Sequence, residues 1–128
     1  MAWSAGTGNA LPGFPQTTAD LGFFVTPAVA DINGDGRNET IAGNGVYTLN
    51  AFDSTGSAPP GWPKLTGGWL VGTPGLGDWK GDGHVEIAVV RRDGQVIVWR
   101  TGGTAAALTE WPRYGGSGTN SGAYDSGP

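Results

Sequence analysis

The chain contains two copies of one acidic loop frame, 47 residues apart, and this repeat constrains its fold more than any other feature. The first copy reads Asp31-Ile-Asn-Gly-Asp-Gly-Arg-Asn-Glu39, and the second reads Asp78-Trp-Lys-Gly-Asp-Gly-His-Val-Glu86. The flanks match at the same offset, since Thr26-Pro27 precedes the first loop as Thr73-Pro74 precedes the second. A repeat of this length predicts supersecondary units that bury their apolar faces by stacking on one another.

A recurring Gly-aromatic-Pro motif divides the chain further. It occurs at Gly13-Phe14-Pro15 and Gly61-Trp62-Pro63, and it returns without the glycine at Trp111-Pro112. We therefore expect four segments, which are the end strand of a preceding unit in residues 1–12, one unit in 13–60, a second unit in 61–112, and a closing segment or tail in 113–128. The first segment resembles the end of a unit, so the chain is expected to begin inside one.

Composition favours short strands joined by turns. Glycine contributes 25 residues and proline nine, no Gly-x-y period is present, and apolar residues fall in short alternating runs. Asp93-Gly94 predicts a hairpin turn, because both residues can adopt positive φ. The predicted fold class is all-β, with two four-stranded antiparallel β-propeller blades and a leading strand. These blades would belong to a larger ring or to a ring completed by an oligomer.

The charge of the chain is concentrated in the two loops. Each loop carries three acids and one base, and together they account for the net charge of −4. Local acidity suits a cation, and the lack of a basic stripe argues against nucleic acid. The sequence has no cysteine and a single histidine, His84, which argues against a disulfide, a zinc centre or a Ser-His-Asp triad. No apolar run approaches the ~20 residues of a membrane span, and no signal peptide precedes the repeats.

The first loop carries a ligand set for a hard cation. Side-chain oxygens stand at Asp31, Asn33, Asp35 and Glu39, and the carbonyl of Arg37 falls at the position expected for a backbone ligand. Ca²⁺ takes six to eight oxygen ligands, which an alternating Asp-x-Asn-x-Asp-Gly loop supplies compactly. The alternative is a metal-free turn held by hydrogen bonds from the backbone to the same side chains. Mutual repulsion of the clustered acceptors favours the cation.

The second loop keeps most of this set but changes one position. Asp78, Asp82 and Glu86 remain, and the carbonyl of His84 stands at the backbone position, but Lys80 replaces the asparagine. In one interpretation, which the sequence slightly favours, the Lys80 amine occupies the cation's place and neutralises the acids. In the other interpretation, Lys80 turns to solvent and a weaker Ca²⁺ site remains.

Residues 27–42, Pro-Ala-Val-Ala-Asp-Ile-Asn-Gly-Asp-Gly-Arg-Asn-Glu-Thr-Ile-Ala, resemble an FG-GAP/VCBS-type repeat. Such repeats are the blades of integrin-α-like β-propellers and of many secreted bacterial proteins. The Gly-Trp-Pro motif and the segment from Trp111 are similar to the bacterial members, and the resemblance covers residues 2–124. It implies the C-terminal blades of a secreted protein, with Ca²⁺ bound by the loops at the propeller rim. Glu39 departs from the commoner final aspartate, and Lys80 departs more seriously.

Three functions are compatible with these features. We expect a non-catalytic, calcium-stabilised module for adhesion or interaction, whose partner is a protein or a glycan and whose neighbours are further blades or further copies. A glycan-binding propeller is the first alternative, with Trp69 and Trp79 as its ligand surface, whereas Trp62, Trp99 and Trp111 recur at unit positions and are predicted to be core. The second alternative is an accessory part of a secreted polysaccharide lyase or peptidase. Its role would be accessory because the sequence offers no acid–base constellation outside the loops.

Overall fold

A computed structural model describes residues 2–19, 26–107 and 113. It has seven strands, β1 Ala28–Ala30, β2 Glu39–Gly43, β3 Thr48–Phe52, β4 Lys64–Leu65, β5 Gly75–Gly77, β6 His84–Val90 and β7 Val96–Thr104. In the described ranges the one helical element is a short 3₁₀ turn, Ala105–Ala107, after β7. The fold is therefore all-β, as predicted.

The strands form two antiparallel meanders. One sheet has the order β1-β2-β3-β4 and the other β5-β6-β7. Their registers correspond at an offset of 47, because Ala28 pairs with Ile41 in the first sheet and Gly75 pairs with Ala88 in the second. The next pair of strands keeps the same correspondence. Each acidic loop consequently occupies the same place, between the first and second strands of its sheet.

The strands form where the sequence alternates, and their inward residues build one core. In β2, Thr40 is exposed, whereas Ile41 is fully buried; in β6, Val85, Ile87 and Val89 are buried. Apolar residues from both sheets belong to a single cluster, which includes Ala28, Ala30, Ile32, Ile41, Leu49, Ala51, Leu70, Leu76, Val85, Ile87 and Val89. Trp62 and Trp99 pack against this cluster as predicted, and Trp111 lies outside the described residues.

The segment between β4 and β5 joins the two sheets. The Thr66 N–H donates to the Tyr47 carbonyl of the first sheet, at 2.8 Å, and Leu70 forms a β-bridge with Arg91 of the second. The buried Leu70 side chain packs on Gly43, where an added Cβ would stand 2.6 Å from Leu70 Cδ1. A larger residue than glycine at position 43 would therefore force Leu70 to shift.

The β2–β3 hairpin and the β6–β7 hairpin close with equivalent three-residue turns, 45–47 and 92–94. Each turn has left-handed backbone at its last residue, Tyr47 with φ 67° and Gly94 with φ 86°. The hairpin predicted at Asp93-Gly94 is present, and of these two residues only Gly94 has positive φ. A three-residue turn needs the left-handed conformation only at its final residue, where it matches the twist of the strands.

The structure describes only part of the two ends of the chain. Within residues 2–12, Trp3 and Ala10 form an isolated antiparallel bridge and not a strand of either sheet. Where a fourth strand of the second sheet was predicted, and for the closing segment apart from Arg113, the chain lies outside the described residues. In the part of the chain that is described, no helix is long and apolar enough to cross a membrane.

Candidate functional site

The first acidic loop connects β1 to β2, and its two terminal acids are buried. Glu39 is 0% exposed and Asp31 is nearly as inaccessible, whereas Asn33, Asp35 and Arg37 are exposed. Full burial is rare for a carboxylate unless it is paired or coordinates a metal ion. The four predicted side-chain ligands therefore lie on one short loop, and the first and last residues of this loop are buried.

Backbone N–H groups converge on Asp31. Its carboxylate accepts hydrogen bonds from Asn33 at 3.2 Å, from Gly34 at 2.6 Å and from Gly36 at 2.7 Å. Gly34 and Gly36 have φ of 85° and 81°, which most other residues adopt only with strain. Asp35 similarly accepts from the N–H of Arg37, at 2.8 Å. The loop is thus held by the side-chain-to-backbone bonds expected of either a metal-free turn or a cation site.

Glu39 is held from two sides. Its Oε2 accepts a hydrogen bond from the Ile32 N–H at 3.0 Å, and its Oε1 accepts one from the Asn33 amide at 3.1 Å. Burial raises the pKa of Glu39 above its ordinary value, and the negative charges of Asp35 and Asp31 raise it further, against the opposing effect of the Ile32 hydrogen bond. The ionised form of Glu39 is accordingly disfavoured in the folded protein unless a positive charge approaches.

This raised pKa predicts a pH dependence in cation-free protein. Between the ordinary glutamate pKa of about 4.3 and the higher folded value, the native state binds more protons than the unfolded state, so stability falls as pH rises. We expect the wild type to gain stability relative to Glu39→Gln as the pH is lowered from about 8 to about 5. Urea unfolding of both proteins in a chelator measures this difference, and a constant difference across the range would contradict the prediction.

The oxygen donors of the first loop fit Ca²⁺ chemically, but their arrangement needs one rearrangement. The Asn33 amide nitrogen lies between Glu39 and Asp35, to which it donates at 3.1 and 3.3 Å. Across the ranges that are described, no three acidic, histidine or cysteine side chains are grouped closely enough to hold a metal ion. A cation can be accommodated when the Asn33 side chain turns its oxygen, a hard ligand, toward these carboxylates.

A contact from the second sheet supports the first loop, and the sequence did not suggest it. The N–H groups of Gly102 and Gly103 in β7 both donate to the Ile32 carbonyl, at 3.0 and 3.1 Å. An added Cβ on Gly103 would stand only 2.1 Å from the Asp31 carbonyl oxygen. The paired glycines interrupt strand β7, and two adjacent glycines in a strand are a signal of close backbone approach.

The second loop reproduces the same scaffold. The Trp79 N–H donates to Glu86 Oε2 at 3.0 Å, as Ile32 does to Glu39, and the Gly83 N–H donates to Asp78 Oδ2 at 2.8 Å. Glu86 is 1% exposed, whereas Asp78 is half-buried. Both loops therefore end in a buried glutamate that accepts a hydrogen bond from the residue after the first aspartate.

The substitution of Lys80 for asparagine changes the chemistry of the second loop. Lys80 is exposed and forms no ion pair with Asp78, Asp82 or Glu86, which differs from the interpretation in which its amine neutralises them. Arg100 instead lies 3.4 Å from Asp82. Glu86 Oε1, which corresponds to the atom bonded by Asn33 in the first loop, is buried and has no hydrogen-bond partner among the described residues. The second loop consequently contains an acceptor that a cation could satisfy.

The two predicted surface tryptophans lie in different surroundings. Trp79 is 55% exposed, and its ring lies over Gly77 of β5, where an added Cβ would stand 3.0 Å from the indole. Trp69 is 43% exposed and lines an open pocket with Tyr47 and Arg92. The structure thus does not combine Trp69 and Trp79 into one surface.

A scan against protein-family models, a search of curated proteins and a search of solved structures found no match to this chain.

Proposed function

We propose that the chain is a calcium-stabilised, non-catalytic β-propeller repeat module that serves adhesion or interaction in a secreted protein. The observation that carries this proposal is the pair of acidic loops in the same register, each ending in a fully buried glutamate, Glu39 or Glu86. The resemblance to FG-GAP/VCBS-type repeats supports the same function, because it concerns the same loop residues.

The proposed role of calcium is to stabilise the fold. The first loop carries three carboxylates within residues 31–39, and burial already disfavours the ionised form of Glu39. A divalent ion that binds the native state alone would offset this cost and add stability in proportion to the logarithm of its concentration. A calcium-loaded loop would also fasten β1 to β2 at the edge of the sheet.

The proposed propeller arrangement is supported by the contact between the first loop and the following sheet. The first loop packs on Gly102 and Gly103 of β7, which belongs to the second unit. If units stack in a ring, the second loop would make the same contact with a further unit, supplied by a longer chain or by another copy. Among the described residues, Asp78 is less buried than Asp31, and the second loop thus has surface available for such a contact.

The test is calcium titration followed by thermal unfolding. With calcium at a hundredfold excess over its Kd, the gain is about 2.7 kcal/mol, and Tm should rise by about 10 °C relative to a chelator. Asp31→Asn should remove most of this gain, because it alters the better preserved loop. An unchanged Tm in wild type with and without the chelator would overturn the proposal.

Lys80→Asn provides the matched gain-of-function variant. It restores the asparagine of the first loop in the second, beside the unpartnered Glu86 Oε1. We expect calorimetry to show one tightly bound Ca²⁺ in wild type and two in Lys80→Asn. Unchanged stoichiometry in the variant would show that the second loop is not a calcium site, and loss of all binding would contradict the assignment of the first.

A further inference from the structure

An open pocket lies outside both acidic loops, where the two sheets meet. Its volume is about 540 Å³, within the range of small-molecule sites, roughly 300–1,000 Å³. The residues that line it are Tyr47, Gly67, Gly68, Trp69, Arg92 and Asp93. They come from the hairpin turn of the first sheet, the joining segment and the hairpin turn of the second sheet. The pocket therefore exists only when the sheets are packed together.

Tyr47 occupies a backbone position that favours glycine. It has φ 67° and is the one non-glycine residue with positive φ in the described part of the chain. The equivalent turn residue of the second sheet is Gly94, which adopts this conformation without strain. An L-residue here costs about 1 kcal/mol or more. The Tyr47 side chain is 48% exposed, so core burial does not compensate for this cost.

The other walls of the pocket are fixed by local contacts. The Thr66 hydroxyl donates to the Gly68 carbonyl at 2.8 Å, and an added Cβ on Gly68 would stand 2.5 Å from Arg91 Nε. The Arg92 N–H donates to the Trp69 carbonyl at 2.8 Å, and the Arg92 guanidinium lies 5.2 Å from the centre of the Trp69 ring. This cation–π contact places the guanidinium donors of Arg92 over one face of the Trp69 ring.

The polar groups of the pocket indicate a polyhydroxylated ligand. Arg92 and Asp93 bring opposite charges to the lining, and Asp93 also pairs with the nearby Arg91, whose guanidinium donates to Gln95 as well. Arg92 offers donors, whereas the Asp93 carboxylate offers acceptors. Aromatic rings suit the apolar face of a sugar ring, while such donors and acceptors suit its hydroxyl groups.

From this combination we propose that the pocket binds a saccharide, as a free sugar or as the terminal residue of a glycan. The inference rests on the proposal that the chain is an interaction module and names the class of its ligand. It does not depend on calcium, because none of the lining residues belongs to either acidic loop. Ligand binding and calcium-dependent stability can consequently be measured separately.

The test is titration of the intact chain with neutral hexoses, N-acetylhexosamines and deoxyhexoses, followed by calorimetry and tryptophan fluorescence. We expect saturable binding of at least one sugar, weakened about tenfold or more by Trp69→Ala and by Tyr47→Gly. Tyr47→Gly should keep or raise the wild-type Tm, because it removes the left-handed strain, so its loss of binding cannot be attributed to unfolding.

Trp79→Ala is the matched control, since Trp79 is an exposed tryptophan outside the pocket. It should bind the sugar as wild type does. Binding that Trp79→Ala abolishes but Trp69→Ala leaves intact would overturn the location of the site. No saturable binding of any neutral sugar, or binding of anionic ligands alone, would overturn the ligand class, and either result would leave the calcium test unaffected.

Discussion

Gly103→Ala is expected to lower the free energy of unfolding by about 3 kcal/mol and Tm by about 10 °C. The added Cβ would stand 2.1 Å from the Asp31 carbonyl oxygen. The Cβ is fixed by the backbone of β7 and the oxygen belongs to the backbone of the loop, so no side-chain rotation relieves the clash. The loop must move away from β7, which breaks the hydrogen bonds to the Ile32 carbonyl. We therefore also expect weaker calcium binding, measured by calorimetry under conditions where the variant remains folded.

Gly75→Ala is the control for Gly103→Ala. Both glycines lie in strands, neither has positive φ, and an added Cβ on Gly75 would meet its nearest neighbour, the Trp79 ring, at an ordinary 3.9 Å. Gly75→Ala should change stability by less than about 1 kcal/mol. Equal effects of the two variants on stability and on calcium affinity would contradict a specific role for Gly103.

Glu39→Ala is expected to destabilise the protein by about 2–4 kcal/mol in calcium. The variant leaves the buried Ile32 N–H and the Asn33 amide without their acceptor, opens a cavity, and removes a proposed ligand. Chemical unfolding in calcium and in a chelator separates these contributions. The loss should be larger in calcium, because only there does the wild type gain binding energy from this carboxylate.

Thr40→Ala controls for mutation of β2 itself. Thr40 is the next residue of the strand, but its side chain is exposed on the opposite face. We expect a change within about 0.5 kcal/mol and no change in calcium dependence. If Glu39→Ala lost the same stability in calcium and in the chelator, Glu39 would be structural only and the first loop would lose its assignment as a calcium site.

The repeat in the sequence predicts much of the sheet architecture. Strand periodicity and the repeated loop frame place Glu39 and Glu86 in the same register, and both are buried. The hairpin at Asp93-Gly94 was also predicted, but the restriction of positive φ to Gly94 was not. Turn geometry depends on how the paired strands twist, which a dipeptide does not specify.

The candidate sites were predictable to different degrees. The loop ligands are adjacent along the chain, so Asp31 and Glu39 could be assigned from spacing alone. Their support by Gly103 could not, because that contact joins residues about 70 positions apart and depends on how the sheets pack. The pocket around Tyr47 and Trp69 could not be predicted for the same reason, since its walls come from three separate segments.

By itself, therefore, the sequence determined the all-β class, the two equivalent units and the acidic loops, because each follows from local spacing and turn-forming residues. Only the tertiary structure decided what those elements touch. It seats the first loop on β7, leaves Glu86 Oε1 without a partner among the described residues, and brings Tyr47 to the same pocket as Trp69. These relations depend on the packing of one sheet against the other, which short-range patterns do not encode.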